Sequence, residues 1–200
     1  MVANPRVAAP IVYPPGNLRK ETMHTLSYVR PSLRPGDRVI DIGCGGGHVL
    51  AELAAEHQVK GVDIVDLRVA PLEDFALYDG EHVPAADNEF DVALLTFVLH
   101  HVPNDKKAQL VREAARVASR AIVLLEDTPR TALDRLACDL HGRSHRKRIG
   151  TTADYGFYSQ PRWEEFFREL GLRVTRSEAL PRWTRDLIRP WARSVFVVEK

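Results

Sequence analysis

The stretch Val39-Ile40-Asp41-Ile42-Gly43-Cys44-Gly45-Gly46-Gly47-His48 decides how the rest of the chain is read. A short apolar run gives way to glycine at 43, 45, 46 and 47, and a helical pattern begins at once. Glycine tolerates backbone angles closed to other residues, so the chain can turn sharply and a ligand can rest directly on the main chain. In an open α/β sheet the first such turn stands at the carboxyl edge, where ligands bind. A plain strand-to-helix turn would also account for the glycines taken alone.

Two acids downstream narrow the reading. Asp63 closes the next strand, twenty residues beyond Gly43, where a carboxylate can take both ribose hydroxyls of a nucleoside. Asp79 closes the strand after that, in Tyr78-Asp79-Gly80, and could accept a proton from an adenine amino group. Each has a local alternative: Asp63 as a turn cap, Asp79-Gly80 as a common turn pair. A dinucleotide is the competing ligand, but His48 stands where the third glycine of G-x-G-x-x-G belongs. Asp41, two residues before the first glycine, would repel a pyrophosphate and suits a ligand bearing an ammonium or sulfonium. S-adenosylmethionine (SAM) is the preferred ligand.

Outward from the turn, strands and helices alternate. Strands are expected at Arg38 to Ile42, Gln58 to Asp63, Phe75 to Tyr78, Phe90 to Phe97, Ala121 to Leu125, Leu172 to Thr175 and Ser194 to Val198. Helices are expected at Asn17 to Val29, His48 to His57 and Thr131 to Leu140. Another is capped by Asn104 or Asp105, with Ala108, Val111, Ala115 and Ala118 on one face. A last one is capped by Ser159, with Trp163, Phe166, Phe167 and Leu170 on one face, and stops at Gly171. Residues 141–158 read as irregular. This alternation implies a mainly parallel sheet covered on both faces, within one α/β domain over 1–200. Its parts are an N-terminal arm and helix (1–35), a SAM-binding core (36–127), substrate-side helices and a cover (128–171), and a last strand pair (172–200).

With 200 residues, 44% hydrophobic and 28% charged, the composition is that of a globular chain. It excludes a disordered tail, a collagen-like repeat and a disulfide-stapled miniprotein. No apolar run approaches the roughly 18 residues that span a bilayer. Pro5, Pro10, Pro14 and Pro15 interrupt the start, so no signal peptide is expected. Cys44 and Cys138 form no C-x-x-C pair, which argues against a metal site and for a reducing, cytoplasmic setting. Residues 1–100 hold 8 Lys+Arg against 14 Asp+Glu, and residues 101–200 hold 20 against 13. The basic second half either meets an anionic partner or simply keeps the surface solvated.

The chain resembles the class I SAM-dependent methyltransferases, and among them the small bacterial branch related to the ubiquinone/menaquinone methyltransferases. The likeness rests on VIDIGCGGG at 39–47, GVDI at 61–64, YDGEHVPAADNEFD at 78–91, TFVLHHV at 96–102 and EAARV at 113–117. It covers residues 36–127 well and the final strand pair loosely. The resemblance implies a Rossmann-like seven-stranded sheet in the order 3-2-1-4-5-7-6 with strand seven antiparallel. It also implies that Asp41 and the loop Gly43, Cys44, Gly45 and Gly47 face the methionine part of SAM. Asp63 would hold the ribose with Ile64 against the adenine, Asp79 and Gly80 would bind the adenine edge, and Thr96 and Phe97 would line the floor beneath the sulfonium. The chain departs from the pattern between Asp63 and Phe75, where eleven residues including Pro71 leave the usual second helix shortened or lost.

The activity so implied is methyl transfer to a small molecule that is anionic, aromatic or lipid-like. A SAM-binding partner or regulatory subunit without transferase activity would carry the same loop and acids. His100 and His101, just past the fourth strand, are candidate bases, with His101 placed ahead; capping the pocket is their other role. Glu126 and Asp127 follow the fifth strand as substrate contacts or, Asp127 especially, as caps for the next helix. His145, Arg146 and Arg148 could meet a carboxylate, a phosphate or an anionic lipid headgroup at a membrane surface. Tyr155, Phe157 and Tyr158 could stack on an aromatic acceptor. A solvated loop explains the same stretch. With T-F-V-L-H-H after the fourth strand instead of [D/N]-P-P-[Y/F], no Pro-Cys, and no appended binding module, a nucleic-acid substrate is disfavoured.

Overall fold

Parallel pairing on both sides places β1 (Arg38–Ile42) in the middle of the sheet that carries the glycine turn. The computed structural model describes residues 15–149, 155–181 and 191–200. β2 (Gln58–Asp63) and β3 (Phe75–Leu77) lie to one side of β1, and β4 (Phe90–Thr96) and β5 (Ala118–Asp127) to the other. All five are parallel. β7 (Arg193–Glu199) pairs antiparallel with β5, and β6 (Arg173–Ala179) pairs antiparallel with β7. The order is β3-β2-β1-β4-β5-β7-β6, as the family resemblance implies.

Successive strand residues point to opposite faces, so the apolar runs supply two layers. Val39, Val92, Leu94, Val123 and Leu125 meet Leu26 and Val29 of α1 (Pro15–Val29) and Leu50 and Leu53 of α2 (His48–Leu53). Ile40, Ala93, Leu95, Ile122 and Leu124 meet α3 (Lys107–Val117) and α5 (Gln160–Glu169) on the other side. Trp163, Phe166 and Phe167 of α5 are buried there as expected. Gly171, at φ 78°, ends α5: its N–H and that of Leu172 close on the carbonyls of Arg168 and Phe167 at 3.0 Å each.

Several elements differ from the sequence reading. α2 stops at Leu53 rather than His57, because Gln58 is already in register with Arg38 across the β1–β2 pair. Neither Asn104 nor Asp105 caps α3; Pro103 O instead takes the N–H groups of Lys106 and Lys107 in a tight lead-in. The buried face of α3 is Leu110, Val111, Ala114 and Val117, with Ala108 and Ala115 half-buried at its flank. Ser159 occupies the N-cap position of α5 without a side-chain bond. The stretch 141–149 is helical, since α4 spans Ala132–Ile149; of the supposed irregular segment, 155–158 carries no regular structure.

Between β2 and β3 there is no helix, in line with the short spacing. Residues 64–74 fold back on the glycine turn instead, Gly46 O accepting the N–H groups of Val69 (3.1 Å) and Ala70 (3.0 Å). Arg68 pins this strap: it pairs with Asp66 at 2.8 Å, donates to Leu72 O at 2.9 Å and lies 4.0 Å over the Phe75 ring.

Candidate functional site

The carboxyl ends of β1 and β2 meet at the glycine turn. Val62 O accepts the N–H groups of Gly43 (2.8 Å) and Cys44 (3.2 Å), which holds the turn against β2. Gly43 has φ 81°, and a Cβ on it would meet Val98 Cγ2 at 2.8 Å, so both conformation and space demand glycine. At Gly45 the space where a Cβ would stand is open. Asp63 reaches across to brace the turn: its Oδ2 accepts the Gly45 N–H at 2.8 Å and its Oδ1 the Ile64 N–H at 2.7 Å. Burial raises the Asp63 carboxyl, while the N–H donors of Gly45, Val65 and Ile64 pull it down.

Asp41 is 2% exposed and its Oδ1 has no hydrogen-bond partner. Burial, and secondly the charge of Asp63, push its carboxyl up to about 7. A buried acid with an orphaned oxygen and a half-buried one beside it, both at one turn, form a seat for a cation. Burial also pushes the half-buried Cys44 thiol up.

Beside this seat, Ile64 is 62% exposed at the end of β2. Gly80, at φ 82°, approaches it so closely that a Cβ there would lie 3.4 Å from Ile64 Cγ2. Asp79 Oδ1 is occupied by the N–H groups of Glu81 and His82, at 2.7 Å each, which hold its carboxyl below the ordinary value. Its Oδ2 lies 3.5 Å from His82 Nδ1. The turn-pair reading of Asp79-Gly80 thus describes one of its two oxygens. Thr96 ends β4. Phe97 turns the chain out of the sheet at φ 60°, an uncommon angle for a bulky residue, with its N–H on Leu125 O at 2.7 Å.

A second polar cluster occupies the ends of β4, β5 and β7. His100 lies in a 3₁₀ turn, Leu99–His101, and is 4% exposed. Its Nδ1 is 2.7 Å from Glu126 Oε2, while Glu126 Oε1 accepts the Leu99 N–H at 2.7 Å. Burial alone would lower the His100 imidazole; the Glu126 and Asp127 carboxylates outweigh it and raise it. His100 Nε2 is 3.9 Å from Asp127 Oδ2. His101 packs beside His100 with ring centroids 4.1 Å apart. It is His100, rather than the favoured His101, that holds the carboxylate.

Asp127 does not cap α4. It pairs with Arg193 at 3.3 Å, both side chains being buried. The cap comes from Thr131 and Asp134, whose side chains exchange bonds with each other's backbone N–H at 3.0 and 3.3 Å. Phe157 lies over His100, stacked at 5.1 Å. Tyr158 instead joins the α5 aromatic group, 4.7 Å from Trp163, with Lys107 Nζ 4.6 Å over its ring. Tyr155 is half-buried. His145, Arg146 and Arg148 belong to the helical span of α4, but their side chains lie outside the described residues. Sequence reasoning missed Arg193 and Lys107. Their only signal was a charge at the first residue of a strand or helix otherwise rich in apolar residues.

Residues 16–177 match the methyltransferase domain family. Among curated relatives, the 27-O-demethylrifamycin SV methyltransferase of Amycolatopsis mediterranei is 33% identical over 99 residues, covering 42% of this chain and 36% of that protein. The ubiquinone/menaquinone biosynthesis C-methyltransferase of Teredinibacter turnerae is 30% identical over 126 residues, covering 54% and 51%. The chain therefore matches about half or less of these relatives' lengths. Among solved structures, the magnesium protoporphyrin IX methyltransferase of Synechocystis with bound S-adenosylhomocysteine superposes with a TM-score of 0.63 at 18% identity, over 92% of this chain and 84% of that one. With its sheet order, its glycine turn and four-fifths of its length accounted for in this way, the chain belongs to the methyltransferase domain family.

Proposed function

We propose that the chain is a SAM-dependent methyltransferase acting on a small molecule. One observation carries the reading: the buried, unpartnered Oδ1 of Asp41 behind a glycine turn braced by Asp63. A ligand with an ammonium and a sulfonium fits that field, and a pyrophosphate does not. Asp63 would take the ribose hydroxyls and Ile64 the adenine face. Asp79 and Gly80 would meet the adenine edge, and Thr96 and Phe97 the floor. When bound, SAM supplies an electrophilic methyl group on a positive sulfur.

The chain's own residues then have two tasks. The first is to hold the acceptor in line, which can be worth on the order of 7–11 kcal/mol of the barrier. The second, for a hydroxyl acceptor, is to receive its proton. His100, with Nδ1 tied to Glu126, would be the group that receives it, Glu126 stabilising the imidazolium that forms. Relatives named for rifamycin, quinone and porphyrin acceptors support a small-molecule substrate. Calorimetry with SAM, followed by transfer of its labelled methyl group across a panel of phenols, quinols and carboxylic acids, tests the proposal. Binding heat with label transfer is expected. Heat without transfer would favour the non-transferring SAM binder, and absence of both would overturn the reading.

A further inference from the structure

We infer that Arg193 is an acceptor-binding residue that takes a carboxylate, for which Glu21 acts as the placeholder; the inference rests on the methyltransferase reading and names its substrate class. Arg193 opens β7 directly opposite Asp127, in register with the last residue of β5. It is 3% exposed. Its Nε lies 3.3 Å from Asp127 Oδ1, and its Cζ stands 5.0 Å over the Phe97 ring. One edge of the guanidinium is thereby paired and its face is packed. The guanidinium is not fully satisfied: Nη2 is buried with no hydrogen-bond partner, and Glu21 Oε1 of α1 lies 3.8 Å from it.

Simple neutralisation of Asp127 would need no second acid and would not strand a buried donor, which is unfavourable. Glu21 is 25% exposed, so it stands at the rim while Asp127 stands in the interior. A ligand carboxylate in place of Glu21 leaves the local charge unchanged and completes the planar fork of donors that arginine presents. The location suits an acceptor. Phe97, under the guanidinium, follows the last residue of β4 at the carboxyl edge, and Asp127 links Arg193 to His100 at 3.3 and 3.9 Å.

The test uses the full chain saturated with S-adenosylhomocysteine, titrated with benzoate and with benzamide as its neutral isostere. The Arg193 Nε–H resonance and calorimetry are the readouts. Benzoate should move the resonance and bind at least tenfold more tightly than benzamide. Glu21→Gln, which removes the competing charge, should tighten benzoate severalfold. Arg193→Lys, which keeps a cation beside Asp127, should reduce the preference below threefold. Equal binding of the two probes, binding of neither while S-adenosylhomocysteine still binds, or an unchanged preference in Arg193→Lys would overturn the inference. If S-adenosylhomocysteine itself does not bind, the cofactor reading fails, and the same benzoate titration of the free protein still decides the role of Arg193.

Discussion

The two halves of the carboxyl edge are built by different means. Around β1 and β2 the edge is made of main chain: a turn with φ 81°, 52° and 76° at Gly43, Gly45 and Gly47, and two acids that set its charge. Around β4, β5 and β7 it is made of side chains: His100 with Glu126, and Asp127 with Arg193. The first half suits a ligand that never changes across a family, because backbone geometry is insensitive to ordinary substitution. The second can be rewritten one side chain at a time, which is how one fold acquires different acceptors.

That contrast can be broken by experiment. The largest effect is expected from His100→Ala, which should lower kcat by roughly 10²–10⁴-fold while the SAM Kd stays within about twofold; loss of SAM binding would show that the halves are not separable. In the wild type, kcat should climb as pH rises past the ordinary imidazole value, because the raised His100 must lose its proton to serve as a base. A flat profile would remove His100 from that role. Asp63→Ala should weaken SAM by about 10- to 100-fold, or roughly 1.5–3 kcal/mol, with the fold retained by circular dichroism. Unaltered affinity would break the ribose assignment.

Asp41 sharpens the comparison further. Its carboxyl titrates at about 7 in the free protein, and only the ionised form attracts a cation. SAM affinity should therefore rise roughly tenfold between pH 6 and pH 8, and Asp41→Asn should flatten that rise in calorimetric titrations. The raised value also means that Asp41 favours the folded state at low pH and that this contribution is lost as pH climbs from the unfolded value, near 4, to about 7. Asp41→Asn should then stabilise the ligand-free protein at pH 8 by about 1–3 kcal/mol in thermal melts. The smallest effect is the control: Gly171→Ala, at φ 78° with nothing within 4 Å of the new Cβ, should cost about 1 kcal/mol and leave both halves of the site as they were.

Legibility in the sequence follows the same division. The glycine turn, Asp41 and the paired strands Arg38–Ile42 and Gln58–Asp63 could be read because their signals are contiguous. So could α5, whose aromatic face and terminal glycine fall at helical spacing. His100–Glu126 joins residues 26 positions apart and Asp127–Arg193 residues 66 apart, and no local pattern encodes such meetings. Capping was misjudged at Asn104, Asp105 and Asp127 for a related reason. Asn104 goes to Lys107, three residues on, and Asp127 to Arg193 across the sheet. β5 ran longer than its apolar centre because Ala118 pairs with Phe90 across a bulge that holds Ser119 and Arg120, and the polar Glu126 and Asp127 pair with β7.

The missing crossover helix has a consequence for turnover. Where a helix would wall off the nucleoside, this chain has only the strap of residues 64–74, held to Gly46 O through Val69 and Ala70, with Val69 78% exposed. In the proposed binding mode the spent thioether product would leave past this strap, so its exit would depend on the Arg68 clasp on Asp66 and Phe75 and on the buried Leu72 anchor instead of on the packing of a whole helix.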